Sequence, residues 1–160
     1  MRLWLQTTDH PGAAQLDEIA RLLRKEVELV HLCARGARIL TIRDFVGKVS
    51  DCKIKEINRQ FHGERKGAKP RGVDYFTESL ERRRDSTAIL SHYRKMSAED
   101  LGRVPMFVQM HNVYMRERQA NPAFDIDELI RLTVAYNLGA IKLLRCGDCG
   151  SQVAMQADEI

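Results

Sequence analysis

Residues 41–72, TIRDFVGKVSDCKIKEINRQFHGERKGAKPRG, constrain this chain more tightly than any other stretch. Ile42, Phe45, Val46 and Val49 recur at i, i+3, i+4 and i+7, the apolar stripe of a short helix. Ser50 and Asp51 interrupt that stripe with side-chain oxygens suited to capping a new helix start. Ile54, Ile57 and Phe61 give a second helix of matching length, which Gly63 stops. Two short amphipathic helices around a tight polar break predict a helix-turn-helix pair.

The second of these helices is expected to turn Lys53, Lys55, Glu56, Asn58, Arg59 and Gln60 outward. Such side chains reach phosphates and base edges in a DNA major groove. A basic loop follows directly, with Arg65, Lys66, Lys69 and Arg71. Between positions 53 and 72 seven basic residues face two acids, a local surplus of five on a chain whose total is +4. The rest of the sequence is therefore close to neutral, and concentrated charge of this kind suits a polyanion such as double-stranded DNA. Any solvated helix face also carries Lys, Arg, Gln and Asn, so a plain surface explains the same residue types.

At 160 residues the chain is one domain, or one domain with a small appendage. A chain of this length buries roughly 70% of its unfolded surface without a disulfide scaffold. No apolar run is long enough to span a bilayer, and the opening MRLWLQTTDHPG is not a secretory signal. A cytoplasmic location is expected, where four cysteines read as thiols or metal ligands rather than disulfides.

Before the helix pair, Leu16, Ile19, Leu23, Val27, Val30, Ala34 and Ala37 keep a helical period, predicting one long helix over 13–40 with a bend at Gly36. Cys33 and His31 fall on or near its apolar face and read as packed residues. A further helix is expected over 74–95, carrying Phe76, Leu80, Ala88, Leu90 and Tyr93. Its Arg82-Arg83-Arg84 triplet extends a DNA-facing patch, pairs with Glu78 and Glu81 on a solvated face, or meets an acidic partner. Ser97 with Asp100 resembles a capped start for the next helix, whose stripe is Val104, Phe107, Val108, His111, Tyr114 and Met115. Asn121-Pro122 ends it. Asp125 with Glu128 makes a capping box for a last helix, closed by Gly139 and apolar nearly all round. Such a helix belongs at the domain centre or in a subunit interface.

The ending changes character. A short alternating strand leads into Cys146-Gly147-Asp148-Cys149-Gly150, a spacing that lets a tight turn aim two thiolates at one tetrahedral ion. This is half of a zinc ribbon. A redox pair and an inert leftover half-site are the rival readings; a thioredoxin-type pair normally opens a helix, whereas glycines here favour a turn. A closed site needs two more ligands, from Cys33, Cys52, His10, His31, His62, His92, His111 or another chain. The expected class is all-α: a multi-helix bundle over 1–138 containing the helix-turn-helix-like pair, with a zinc-ribbon-like strand and knuckle over 139–160.

Taken together the chain resembles the FlhC family of flagellar transcriptional activators. Gly36-Ala37-Arg38 leads into the helix pair, and Gly63 precedes a loop with Pro70-Arg71-Gly72. Tyr75-Phe76 opens an aromatic-rich segment, and Gly139-x-Ile-x-Leu-x-x-Cys-x-x-Cys-Gly matches the entry to the family's zinc site. The similarity covers about residues 29–153. It implies a DNA-binding activator acting as a hetero-oligomer with an FlhD-type subunit, on flagellar operons or on transfer genes of mobile elements. It implies zinc held by two cysteine pairs; Cys146 and Cys149 correspond to the first, and the second has no counterpart in this sequence.

Two other classes frame the expectation. In an adaptor, the basic stretch would dock an acidic protein while the partner reads DNA. An enzyme is not expected: Gly-x-Ser-x-Gly, His-Glu-x-x-His, the P-loop and the dinucleotide fingerprint are all missing.

Overall fold

The structure is a computed structural model that describes residues 12–63, 72–99, 101–118 and 122–159. Six α-helices precede a C-terminal hairpin in the described chain. They are α1 (Gly12–Ala34), α2 (Ile39–Val46), α3 (Asp51–His62), α4 (Leu80–Met96), α5 (Arg103–Glu117) and α6 (Ile126–Asn137). Strands β1 (Ile141–Arg145) and β2 (Gln152–Gln156) complete it, so the architecture is mainly helical with one two-stranded antiparallel sheet.

The long first helix expected over 13–40 is two helices. Gly36 takes φ 76°, and the Ala37 N–H turns back to the Leu32 carbonyl at 3.0 Å, ending α1 in a left-handed turn that glycine adopts at no steric cost. Helix α2 then starts without a side-chain cap of its own. Its missing acceptor comes from α6: Asp127, 2% exposed, accepts from the Arg38 N–H at 3.0 Å and from the Thr41 hydroxyl. Burial raises the Asp127 carboxyl above its ordinary range, while the Thr41 and Arg38 hydrogen bonds oppose that shift.

Helix α3 follows its sequence cues. Ser50 accepts from the Lys53 N–H at 3.3 Å, Ile54 is fully buried, and Gly63 ends the helix with φ 66°. It packs chiefly on α1. The helix expected from position 74 begins later, at Leu80 under a Ser79 cap. Ahead of it lies a 3-10 turn, Asp74–Phe76, whose Tyr75 and Phe76 rings pack edge-on against Phe124 at 5.9 and 5.5 Å. Ser97 closes α4 rather than capping α5; α5 starts after Gly102, with Pro105 in its first turn, where no intrahelical N–H bond is needed. Asp100 lies outside the described residues.

Helix α6 forms the centre. Its capping box is complete: Asp125 accepts from the Glu128 N–H at 2.8 Å and Glu128 from the Asp125 N–H at 3.0 Å. Ile126, Leu129 and Leu132 have no exposed surface, whereas Val134 and Leu138 near its end face solvent. The hairpin is fused to this core. Ile141 and Ala154 are fully buried, and the Ala154 N–H donates to the Thr87 hydroxyl of α4 at 2.8 Å. Among the described residues no helix is long and apolar enough to cross a membrane.

Candidate nucleic-acid interface and cysteine turn

The α2–α3 turn is set by Gly47, at φ 88° and ψ −148°, a region that side chains with a Cβ avoid. Arg43 of α2 reaches across this turn to pair with Asp51 at the start of α3. Arg43, Gly47, Lys48, Val49 and Ser50 line an open groove of about 570 Å³.

Beyond the turn, α3 shows Cys52, Lys55, Glu56, Arg59 and Gln60 to solvent. Lys55 and Arg59 stand one helical turn apart on the same ridge. Lys55 makes no ion pair among the described residues. Arg59 pairs with Glu56 at 3.1 Å, and Glu56 also accepts from Gln60 at 3.2 Å. The Arg59 hydrogen bond, then Gln60, hold the Glu56 carboxyl below its ordinary range, so this ridge carries a fixed negative charge beside its arginine. Lys53 leans toward α1 and pairs with Glu26 at 2.5 Å. Pairs between exposed side chains are weak and screened by salt, so a phosphate can displace either carboxylate.

Asn58 is not an outward residue. It sits on the inner flank of α3, one turn after Ile54, half-buried, with its Oδ1 covered and without a hydrogen-bond partner among the described residues. Phe61, expected on the apolar stripe, is instead 50% exposed. The structure thus brings Lys55 and Arg59 together, sets Lys53 at the edge and removes Asn58. Arg65, Lys66, Lys69 and Arg71 lie outside the described residues. Lys48 and Arg43 join the basic surface although the charge count that began at Lys53 passed over them; Lys48's place in the polar break was the available signal.

The Arg82–Arg84 triplet does not extend this face as a unit. Arg82 pairs with Glu78 and lies over the Tyr75 ring at 4.0 Å, and Arg83 donates to the Thr77 carbonyl at 2.6 Å and pairs with Glu159. His31 is exposed rather than packed, while Cys33 is fully buried, its thiol pushed up to about 11 by desolvation.

The second cysteine site is a turn between β1 and β2. The Cys146 N–H donates to the Ser151 carbonyl at 2.7 Å, the Gly150 N–H to the Cys146 carbonyl at 2.9 Å, and Gly150 takes φ 70°. The strand β2 beyond it was not foreseen. Cys149 is exposed, and the Ser151 hydroxyl, the Ser151 backbone and the Cys146 side chain hold its thiol below the ordinary value. Two thiols on one turn provide half of a tetrahedral donor set. No third donor joins them: among the described residues no cluster of three or more His, Cys, Asp or Glu is placed to hold a metal. His62 is hydrogen-bonded to the Cys33 carbonyl at 2.8 Å, His92 faces Glu117 at 3.2 Å, and His111 lies half-buried near Arg35 and Asp125. The described residues do not fit a closed zinc site. His10 lies outside them.

No protein-family model matches the chain, and no curated protein matches it.

Proposed function

We propose that this chain is the DNA-binding subunit of a transcriptional activator of the FlhC kind, working in the cytoplasm with an FlhD-type subunit on flagellar or mobile-element operons. The observation that carries this reading is the solvent face of α3, where Lys55 and Arg59 share a ridge beside the Gly47 turn with Lys48 and Arg43. A helix presented in this way suits the major groove, its cations meeting phosphates on either side. The partner rests on the family resemblance. Zinc is given no step in this reading, because among the described residues no third donor joins Cys146 and Cys149.

The test is DNA binding by the chain co-expressed with an FlhD-type subunit, followed across a salt series. Lys55→Ala with Arg59→Ala should lower the slope of log K against log salt by about 1.8, at roughly 0.9 per phosphate contact. An unchanged slope removes α3 from the interface.

A second reading, an adaptor that docks an acidic protein, draws on one feature: both Lys53 and Arg59 already hold carboxylates. DNA crosslinks confined to the partner subunit would favour it.

A further inference from the structure

Helix α1 is fixed to the body by its last third, where Leu29, Leu32 and Cys33 are buried. From position 14 to position 27 every residue is exposed, yet the exposed surface is not uniformly polar. Leu16, Ala20, Leu23, Val27 and Val30 succeed one another at intervals of four, three, four and three residues, the a/d repeat of a coiled-coil seam. Leu16 is 67% exposed, Leu23 61%, Val27 53% and Val30 38%. The seam is about 21 Å long at 1.5 Å per residue and lies roughly 150° around the helix from the side that holds the body. The body therefore cannot cover it.

We propose that this seam packs against the same seam of a second copy of the chain, antiparallel, about a two-fold axis passing between Arg21 and Leu22. In that register Leu16 meets Val27 of the second copy and Ala20 meets Leu23, which symmetry turns into four apolar layers. Asp17 and Arg24 flank the seam on one side, and this register sets each Asp17 beside an Arg24 of the other copy, twice. Charge selects the arrangement. Sliding one heptad to the next apolar antiparallel register opposes Arg24 to Arg24. A parallel pair opposes Asp17 to Gly12 and Arg24 to Ile19, leaving both charges unmatched. The cost of starting the helix is already met by its anchored end, so a short seam suffices to join two chains.

The inference goes beyond the DNA reading and is measured without nucleic acid. Sedimentation velocity of the full chain at tens of micromolar should give twice the 18.4 kDa of one copy. Leu23→Glu should give single chains with an unchanged helical circular-dichroism spectrum, because Leu23 lies outside the core. Asp17→Arg should weaken the dimer roughly fivefold by opposing like charges at two exposed pairs. Asp17→Arg combined with Arg24→Asp should restore it. A wild-type chain that stays single across the concentration range overturns the proposal. So does a dimer that survives Leu23→Glu, or a charge swap that fails to restore association.

Discussion

Tyr114→Phe tests the interior with one oxygen atom. The Tyr114 side chain is 1% exposed, and its hydroxyl donates to Asp85 Oδ2 at 2.7 Å while accepting from the Ala123 N–H at 2.8 Å and the Phe124 N–H at 3.2 Å. Burial, then Asp85, push the phenol well above its ordinary value, so it remains a donor at every pH of interest. Asp85 is itself 1% exposed, with Arg118 as its ion-pair partner. Phenylalanine keeps the ring stacked on Phe124 and removes one charge-assisted bond and the one acceptor of two backbone N–H groups. The bond to the carboxylate contributes about 1.5–3 kcal/mol, and each abandoned N–H costs about 1–3 kcal/mol before the loop relaxes. Neighbouring losses do not add in full, so the expected destabilisation is about 3 kcal/mol. At roughly 2–4 °C per kcal/mol for a chain of this size, the Tm falls by about 6–12 °C. Urea unfolding followed by circular dichroism should show a lower midpoint at constant slope. Tyr136→Phe is the control, because that half-buried tyrosine makes no hydroxyl hydrogen bond among the described residues; it should stay within about 0.5 kcal/mol of wild type. A loss below about 1 kcal/mol at Tyr114 would refute the node joining α4, α5 and the start of α6.

Burial, then the Arg35 charge, depress the His111 pKa, with Asp125 opposing, so its contribution to stability is present above about pH 6.5 and is lost as pH falls through the depressed value. His111→Gln should therefore flatten the decline in urea midpoint on acidification from neutral pH, and parallel pH profiles for the two proteins would contradict it. Gly47→Ala should cost about 1–3 kcal/mol although nothing lies within 4 Å of the added methyl, since the penalty is the φ of 88°. Gly147→Ala, equally open and without that φ, should unfold like wild type.

Local chemistry made parts of this fold legible in the sequence. Ser50 and Gly63 mark both ends of α3, and the Asp125–Glu128 box marks the start of α6, because each cue acts within a single turn. Gly36 read as a bend and is a full break between two helices, because Ala34 and Ala37 prolong the apolar period through the turn. Strand β2 offered five residues and little contrast between its faces. Asn58 carried the right chemistry for a groove, but its place beside Ile54 turns its oxygen inward. Tyr114 read as one more apolar position because its partners are set by packing: Asp85 lies 29 residues earlier in the chain. On α1 the expected stripe of Leu16, Ile19, Leu23, Val27 and Val30 is exposed and Leu29, Leu32 and Cys33 pack instead, because periodicity marks an apolar face without saying what covers it.

Helix α2 has no cap of its own; the Asp127 carboxylate supplies one from the far end of the sequence. The α2–α3 pair is consequently not a portable module. Excised and grafted onto another scaffold, it would lose the acceptor that starts its first helix, while Asp127 would be left behind with a buried charge and no donors. Residues separated by 89 positions must find each other before the pair can hold its shape, which ties whatever α3 touches to the heart of the bundle.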